Sequence, residues 1–348
     1  AVAGVADAST GRPVTSDTPF YATSTGKGVA ATVVHVLAER GALGYDTPIA
    51  ELWPEFGAHG KQATTIRHAL THSVGVPGLP TDTQPEAFLD WDAMCALIAD
   101  ARPWWEPGSK TGYHAQTFGW IVGEIVRRAT GKRIPQVLRD EVASPLGVAD
   151  ELFFGVPESE LGLLARLEDP RPENPEYPAD SAPAEDDAAA TFGDPAGEHD
   201  GWVWAPPATM PDAAFGNRAD LLATDIPAGG TMTARAAAWV YAALLDEVDG
   251  VRLVSAERLR EITAVAVSGV DEVLGFPAAR ALGYDIGGLG GALDSPTFFG
   301  TAGSGGTAAY ADTASGIAIA VMKNLNTFGD FSTVNLVAEA VAKHTANR

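Results

Sequence analysis

Apolar and polar positions repeat with a helical period over several stretches of this chain. From Ser24 it reads STGKGVAATVVHVLAERG, where Val29, Val33, Val34, Val36 and Leu37 form an apolar stripe and Gly41 supplies a stop. Residues 1–23 alternate like strand and turn, and Pro19-Phe20-Tyr21 leads out of an extended stretch into that helix. Helical patterning recurs over Thr64–Ser73, Pro85–Ala101 and Gln116–Thr130, the last closed by Gly131. Residues 45–160 therefore read mainly as helices and connecting loops. Thr233 opens a further helix, ARAAAWVYAALLDE. From about Arg280 the pattern becomes that of strands with glycine-rich turns, in LGYDIGG, TFFG, GTAAYAD and GIAIAVMKN. A last helix is predicted over Ser332–His344.

Strands and helix at both ends with a helical block between them predict an α/β (α+β) chain. Residues 1–44 and 225–348 form a split α/β domain, and residues 45–224 an inserted, mainly helical domain. Within the insert, residues 166–212 are acidic and proline-rich, with Pro170, Pro172, Pro175, Pro178 and Pro183 punctuating them. They predict a long loop, either a surface excursion or a lid. Its apolar end, Trp202-Val203-Trp204, is expected to pack onto something, a substrate cleft being one candidate.

Composition narrows the function classes. At 348 residues and 46% hydrophobic content the chain buries a large core. A formal charge of −22 argues against nucleic acid or an anionic membrane as partner. The single cysteine, Cys95, lies in the apolar run AMCALI and reads as a buried core thiol. No signal peptide or membrane span is visible, so a cytoplasmic location is the default, with a processed secreted form left open.

The candidate chemistry starts at Ser24 and Lys27, three residues apart on one helical face. A crowded lysine can lose its proton near neutral pH and then take one from a serine hydroxyl. The helix start adds unpaired N–H groups and positive dipole, both of which favour the anions of acyl transfer. A proton shuttle is also needed, and Tyr113, after the turn-forming Pro107-Gly108, is the candidate. Oxyanion donors are expected from the Ser24 amide and from the glycine-rich Gly300–Gly306 stretch, which otherwise reads as a tight hairpin. His68 and His72 are four apart, but no glutamate lies between them and no third ligand is evident. A packed or capping role is expected, and no metal. Gly287–Gly291 reads as a turn, and no G-x-S-x-G elbow occurs.

Several motifs in order resemble those of the serine β-lactamase-like, penicillin-binding-protein-like superfamily. They are STGK, LTHSVGVPG (Leu70–Gly78), PGSKTGYHAQTFGWIVGEIVRRATGK (Pro107–Lys132), SPLGV (Ser144–Val148), IPAGGTMTARAAA and FFGTAGSGG. Order and spacing are similar to the esterase branch, the family VIII carboxylesterases. The resemblance implies an antiparallel sheet flanked by helices, with the active site between sheet and helical domain. It also implies Ser24 as acylated nucleophile, Lys27 as its base, and Tyr113 as partner base and proton shuttle. The backbone N–H groups of Ser24 and Ser304 would form the oxyanion hole, and His114, Thr301, Gly303 and Trp105 are expected at the substrate.

Departures from the pattern matter. The lysine, or in esterases often histidine, of the edge-strand triplet is replaced in Thr301-Ala302-Gly303. The asparagine often found two residues after the tyrosine is Ala115. Restoring a lysine or histidine at Thr301 is expected to favour carboxylate-bearing substrates. The implied activity is cofactor-free hydrolysis of a small-molecule carboxylic ester through an acyl-enzyme on Ser24. An acyltransferase using an amine or alcohol acceptor, a β-lactamase or D-peptidase, and a non-catalytic binding protein stand as alternatives.

Overall fold

The computed structural model describes residues 1–170, 199, 201–224, 226 and 229–345. Most of the expected 166–212 loop, residues 171–198 and 200, lies outside them. The principal helices are α1 (Gly26–Glu39), α2 (Trp91–Asp100), α3 (Thr117–Thr130), α4 (Ala234–Leu245), α5 (Ala256–Thr263) and α6 (Ser332–Thr345). Between α5 and α6 come strands β1 (Val267–Val270), β2 (Pro277–Arg280), β3 (Asp285–Ile286), β4 (Phe298–Gly303), β5 (Thr307–Asp312) and β6 (Ile317–Val321). They pair antiparallel in the order β6-β5-β4-β3-β2-β1, so chain neighbours are spatial neighbours throughout.

Local chemistry explains where the helices begin and end. The Asp90 carboxylate accepts from the Ala93 N–H at the start of α2, and the Thr233 hydroxyl accepts from that of Ala236 at the start of α4. Gly131 closes α3 at φ 71°, a conformation that glycine adopts without penalty. The helix expected over Thr64–Ser73 contracts to Ile66–Leu70, because His72 turns to φ 56° and breaks the ladder. The sheet starts earlier than expected, since Val267–Arg280 forms a hairpin. Most of its positions face solvent, so no buried alternation marks it.

The core explains the position of α1. Its residues from Gly26 to Ala38 are all buried, so the whole helix, not just a stripe, is enclosed. Phe299, Ala309 and Ala311 of the sheet belong to the same core as α1 and α4. Alternate residues Ala308 and Tyr310 face Val334 and Ala338 of α6 in a second cluster. Short strands complete the scaffold: Thr231–Met232 pairs with both Phe20–Tyr21 and Leu152–Phe153, and Leu79–Pro80 with Trp202–Val203. Cys95 is buried, as expected, with Sγ 3.8 Å from Glu124. No described helix is long and apolar enough to cross a membrane.

Candidate active site

Ser24 lies in the helical turn Thr23–Thr25 that runs directly into α1. Tertiary contacts clamp this turn on two sides. The Ala22 N–H donates to the Gly230 carbonyl at 2.7 Å, and the Thr307 hydroxyl donates to the Ala22 carbonyl at 2.8 Å. Thr25 Oγ1 meets Thr307 Oγ1 at 2.9 Å, tying the turn to β5. Thr23 sits at φ 45°, a left-handed conformation costly for a β-branched residue, which these contacts impose beside the serine. Gly303 at the end of β4 is required by the same closeness. A Cβ there would lie 2.2 Å from Thr23 Oγ1 and 2.5 Å from the Ala22 carbonyl oxygen.

Lys27 Nζ stands 2.8 Å from Ser24 Oγ. The lysine is buried, and desolvation of its ammonium lowers its pKa to about 7, while the charge of Asp285 opposes the shift. A free amine is thus accessible near neutral pH, within hydrogen-bond reach of the serine proton. Tyr113 completes the group. Its ring centroid is 5.0 Å from Lys27 Nζ, and burial raises its phenol pKa, opposed by a hydrogen bond with Ser24. On a neutral ester, kcat/KM is expected to climb with pH through about 7 as Lys27 sheds its proton, then level off. A pH–rate profile flat through that value would remove Lys27 as the base.

The loop bearing Tyr113 is anchored from two directions. Gly112 N–H donates to the His72 carbonyl at 3.0 Å, and His114 N–H donates to His72 Nδ1 at 3.1 Å. The His72 ring packs 5.1 Å from that of Tyr113. From the β1–β2 hairpin, Asp271 Oδ1 accepts the Tyr113 N–H at 3.1 Å and those of Val273 and Leu274 at 2.8 Å. The other carboxylate oxygen of Asp271 pairs with Arg280 at 2.5 Å, both side chains buried.

Ser24, Tyr113, Gly303 and Ser304 all line one cavity of about 1100 Å³. Three of the expected substrate contacts point elsewhere. The Thr301 hydroxyl faces α1, donating to the Thr25 carbonyl at 3.0 Å and accepting the Gly28 N–H at 3.2 Å. His114 is buried, with Nδ1 donating to the Gly112 carbonyl and Nε2 accepting the Val76 N–H. Trp105 is turned inward and donates its indole N–H to the Ser73 carbonyl at 3.3 Å. None of the three lines the cavity. Each carries a polar group that bonds to a backbone partner, which fixes its direction.

The profile of the family described as Beta-lactamase matches residues 1–343. The chain belongs to that family. Esterase/beta-lactamase LipL of Mycobacterium tuberculosis (strain ATCC 25618 / H37Rv) is 34% identical over 325 residues, 92% of this chain and 72% of that protein. A crystal structure of a family VIII carboxylesterase matches with TM-score 0.81 at 34% identity, covering 98% of this chain and 87% of that one. A penicillin-binding protein homolog from Caulobacter crescentus matches with TM-score 0.80 at 32% identity, with the same coverage of 98% and 87%.

Within this β-lactamase-family site, the sequence gives His72 only a packed or capping role and does not mark Asp271, Arg280 or Asp285. Asp271 opens the turn of a hairpin that carries no strand signal and Arg280 ends its second strand, and they approach Tyr113 only in three dimensions. Thr301 also changes meaning. A lysine placed there would enter the buried contact with α1 instead of the cavity, so the expected gain for carboxylate substrates does not follow. Thr301→Val is expected to cost about 1–3 kcal/mol by removing the side-chain acceptor of the buried Gly28 N–H. Urea unfolding checks this, and an unchanged midpoint would count against it.

Proposed function

We propose that this chain hydrolyses carboxylic esters through an acyl-enzyme on Ser24. Its class, a serine ester hydrolase on the β-lactamase fold, follows from its esterase relatives, among them LipL, Esterase EstB of Burkholderia gladioli and the family VIII carboxylesterase. The observation that carries the residue roles is the 2.8 Å contact between Ser24 Oγ and a buried amine that ionises near neutral pH.

In this reading neutral Lys27 takes the Ser24 proton as Oγ bonds to the ester carbonyl carbon. The carbonyl oxygen becomes an oxyanion held by the backbone N–H groups of Ser24 and Ser304, helped by the positive end of α1. Collapse breaks the bond to the alcohol, which leaves with a proton relayed from Lys27 through Tyr113. Water then attacks the acyl carbon, giving its proton to the same pair; the acyl carbon–Oγ bond breaks, the acid leaves, and the pair returns the proton to Ser24 Oγ. Phe88, Trp120, Phe154, Trp204 and Phe215 line one flank of the cavity and favour an apolar group on the ester.

A fluorophosphonate tests this on the wild-type enzyme by intact mass and peptide mapping. One adduct on the Ser24 peptide, with turnover of a p-nitrophenyl ester, is the expected result. Labelling elsewhere, or none, would overturn the assignment. Labelling without turnover would instead indicate transfer to an acceptor other than water.

A further inference from the structure

Opposed positions on four strands form a row along the cavity. Tyr310 pairs with Gly300, Gly300 with Asp285, and Asp285 with Arg280. Directly opposed residues of antiparallel strands share a face, and Tyr310, Asp285 and Arg280 all line the cavity. Gly300 makes room for the tyrosine, since a Cβ there would sit 2.6 Å from Tyr310 Cγ.

Arg280 is buried and its charge is committed. One terminal nitrogen pairs with Asp271 at 2.5 Å and the other donates to Thr111 Oγ1 at 2.8 Å. Its Nε lies 3.5 Å from Asp285 Oδ1 and makes no hydrogen bond among the described residues. Among the described residues Asp285 is held at ion-pair distance by Arg280, and its side chain remains 41% exposed within the cavity. The other charged described residue of the lining is Asp294, also an acid.

Charge counting shows what the site lacks. Among the described residues, Asp271, Arg280 and an ionised Asp285 together carry one net negative charge; burial raises the Asp285 pKa, and a cation beside it favours the ionised form. Lys27 balances it only while protonated, yet the proposed mechanism needs Lys27 neutral. The reactive form of the site thus holds an uncompensated carboxylate on an otherwise largely apolar cavity, where unpaired charge is expensive. Tyr310 stands across Gly300 from Asp285 on the same face, Tyr113 lines the same cavity, and the charge of Asp285 is felt at Lys27 and Tyr113. A carboxylate beside aromatic faces suits an organic cation.

We propose that Asp285 receives an ammonium group of the substrate, so that the preferred substrates are esters carrying an organic cation. This rests on the reading of Ser24 as nucleophile. A substrate cation supplies the missing charge, and by like-charge repulsion it also holds Lys27 in its neutral form. A carboxylate-bearing ester meets repulsion from Asp285 instead.

Two isosteric substrates test it, a choline ester and the 3,3-dimethylbutyl ester of the same acid, which replaces trimethylammonium by tert-butyl. Wild type is expected to favour the choline ester in kcat/KM by about tenfold or more, with the preference shrinking at high salt. In Asp285→Asn the ratio should fall toward one. A wild-type ratio near one, or a ratio untouched by Asp285→Asn, would overturn the proposal. If Asp285→Asn does not fold, Asp285→Ser takes its place, and the wild-type ratio and its salt dependence stand on their own. Failure of the nucleophile reading looks different: no label on Ser24 and no turnover of either ester. Calorimetric binding of the matching choline and dimethylbutyl ethers to Ser24→Ala then decides. Preference for the cationic ether supports the proposal, and equal binding removes it.

Discussion

Replacing Ser24 by alanine is expected to lower kcat/KM on a p-nitrophenyl ester by about 10⁴- to 10⁶-fold, the scale seen when a nucleophile is removed from a unit that acts together. Residual hydrolysis would come from the oxyanion donors and from binding. The fold should persist. Ser24 is only partly buried, and its turn is held by Ala22, Thr25 and Thr307, which the substitution leaves in place. Single-turnover kinetics with thermal melting separates the two effects. Activity at the wild-type level in a folded variant would remove Ser24 as nucleophile.

Arg280→Met carries the largest expected loss of stability, about 3–5 kcal/mol, because it leaves the Asp271 carboxylate buried without its counter-charge. Asp271 is fully buried and accepts three backbone N–H groups, one of them from Tyr113, so the disturbance reaches the proposed proton shuttle. Activity is expected to fall along with stability. Adding Asp271→Leu removes the stranded charge and should recover part of the stability. It should not recover activity, since the Tyr113 N–H then lacks its acceptor. Urea unfolding of the single and double variants, read as a double-mutant cycle, measures this coupling. Strictly additive effects would mean that the pair does not act as one unit.

Much of the scaffold was legible because its signals are local. The α1 stripe, the Thr233 cap and the Gly131 stop all depend on residues within a turn of one another, and each element appears where its pattern lies. The β1–β2 hairpin was not legible. Its strands bury few side chains, so periodicity had little to mark. The Thr64–Ser73 pattern predicts a longer helix than the observed Ile66–Leu70, since nothing local announces that His72 turns left-handed to hold the Tyr113 loop.

The candidate site divides in the same way. Ser24 and Lys27 were recognisable by spacing, because residues three apart on a helix meet whatever surrounds them. The directions of Thr301, His114 and Trp105 were not, because each turns toward a backbone group that folding brings close: the Gly28 amide, the Val76 amide and the Ser73 carbonyl.

By itself, then, the sequence determined the helix that presents a serine and a lysine on one face, the strands that follow Arg280, and the family to which those motifs point. Only the tertiary structure decided that Lys27 is buried enough to ionise near neutral pH, that Asp271 and Arg280 fix Tyr113, and that Asp285 faces the cavity. Spacing along a helix is set by bonds a few residues apart. Desolvation and charge pairing depend on which distant segments pack together, here residues near 24, 113, 271 and 285, and that packing comes only with the whole fold.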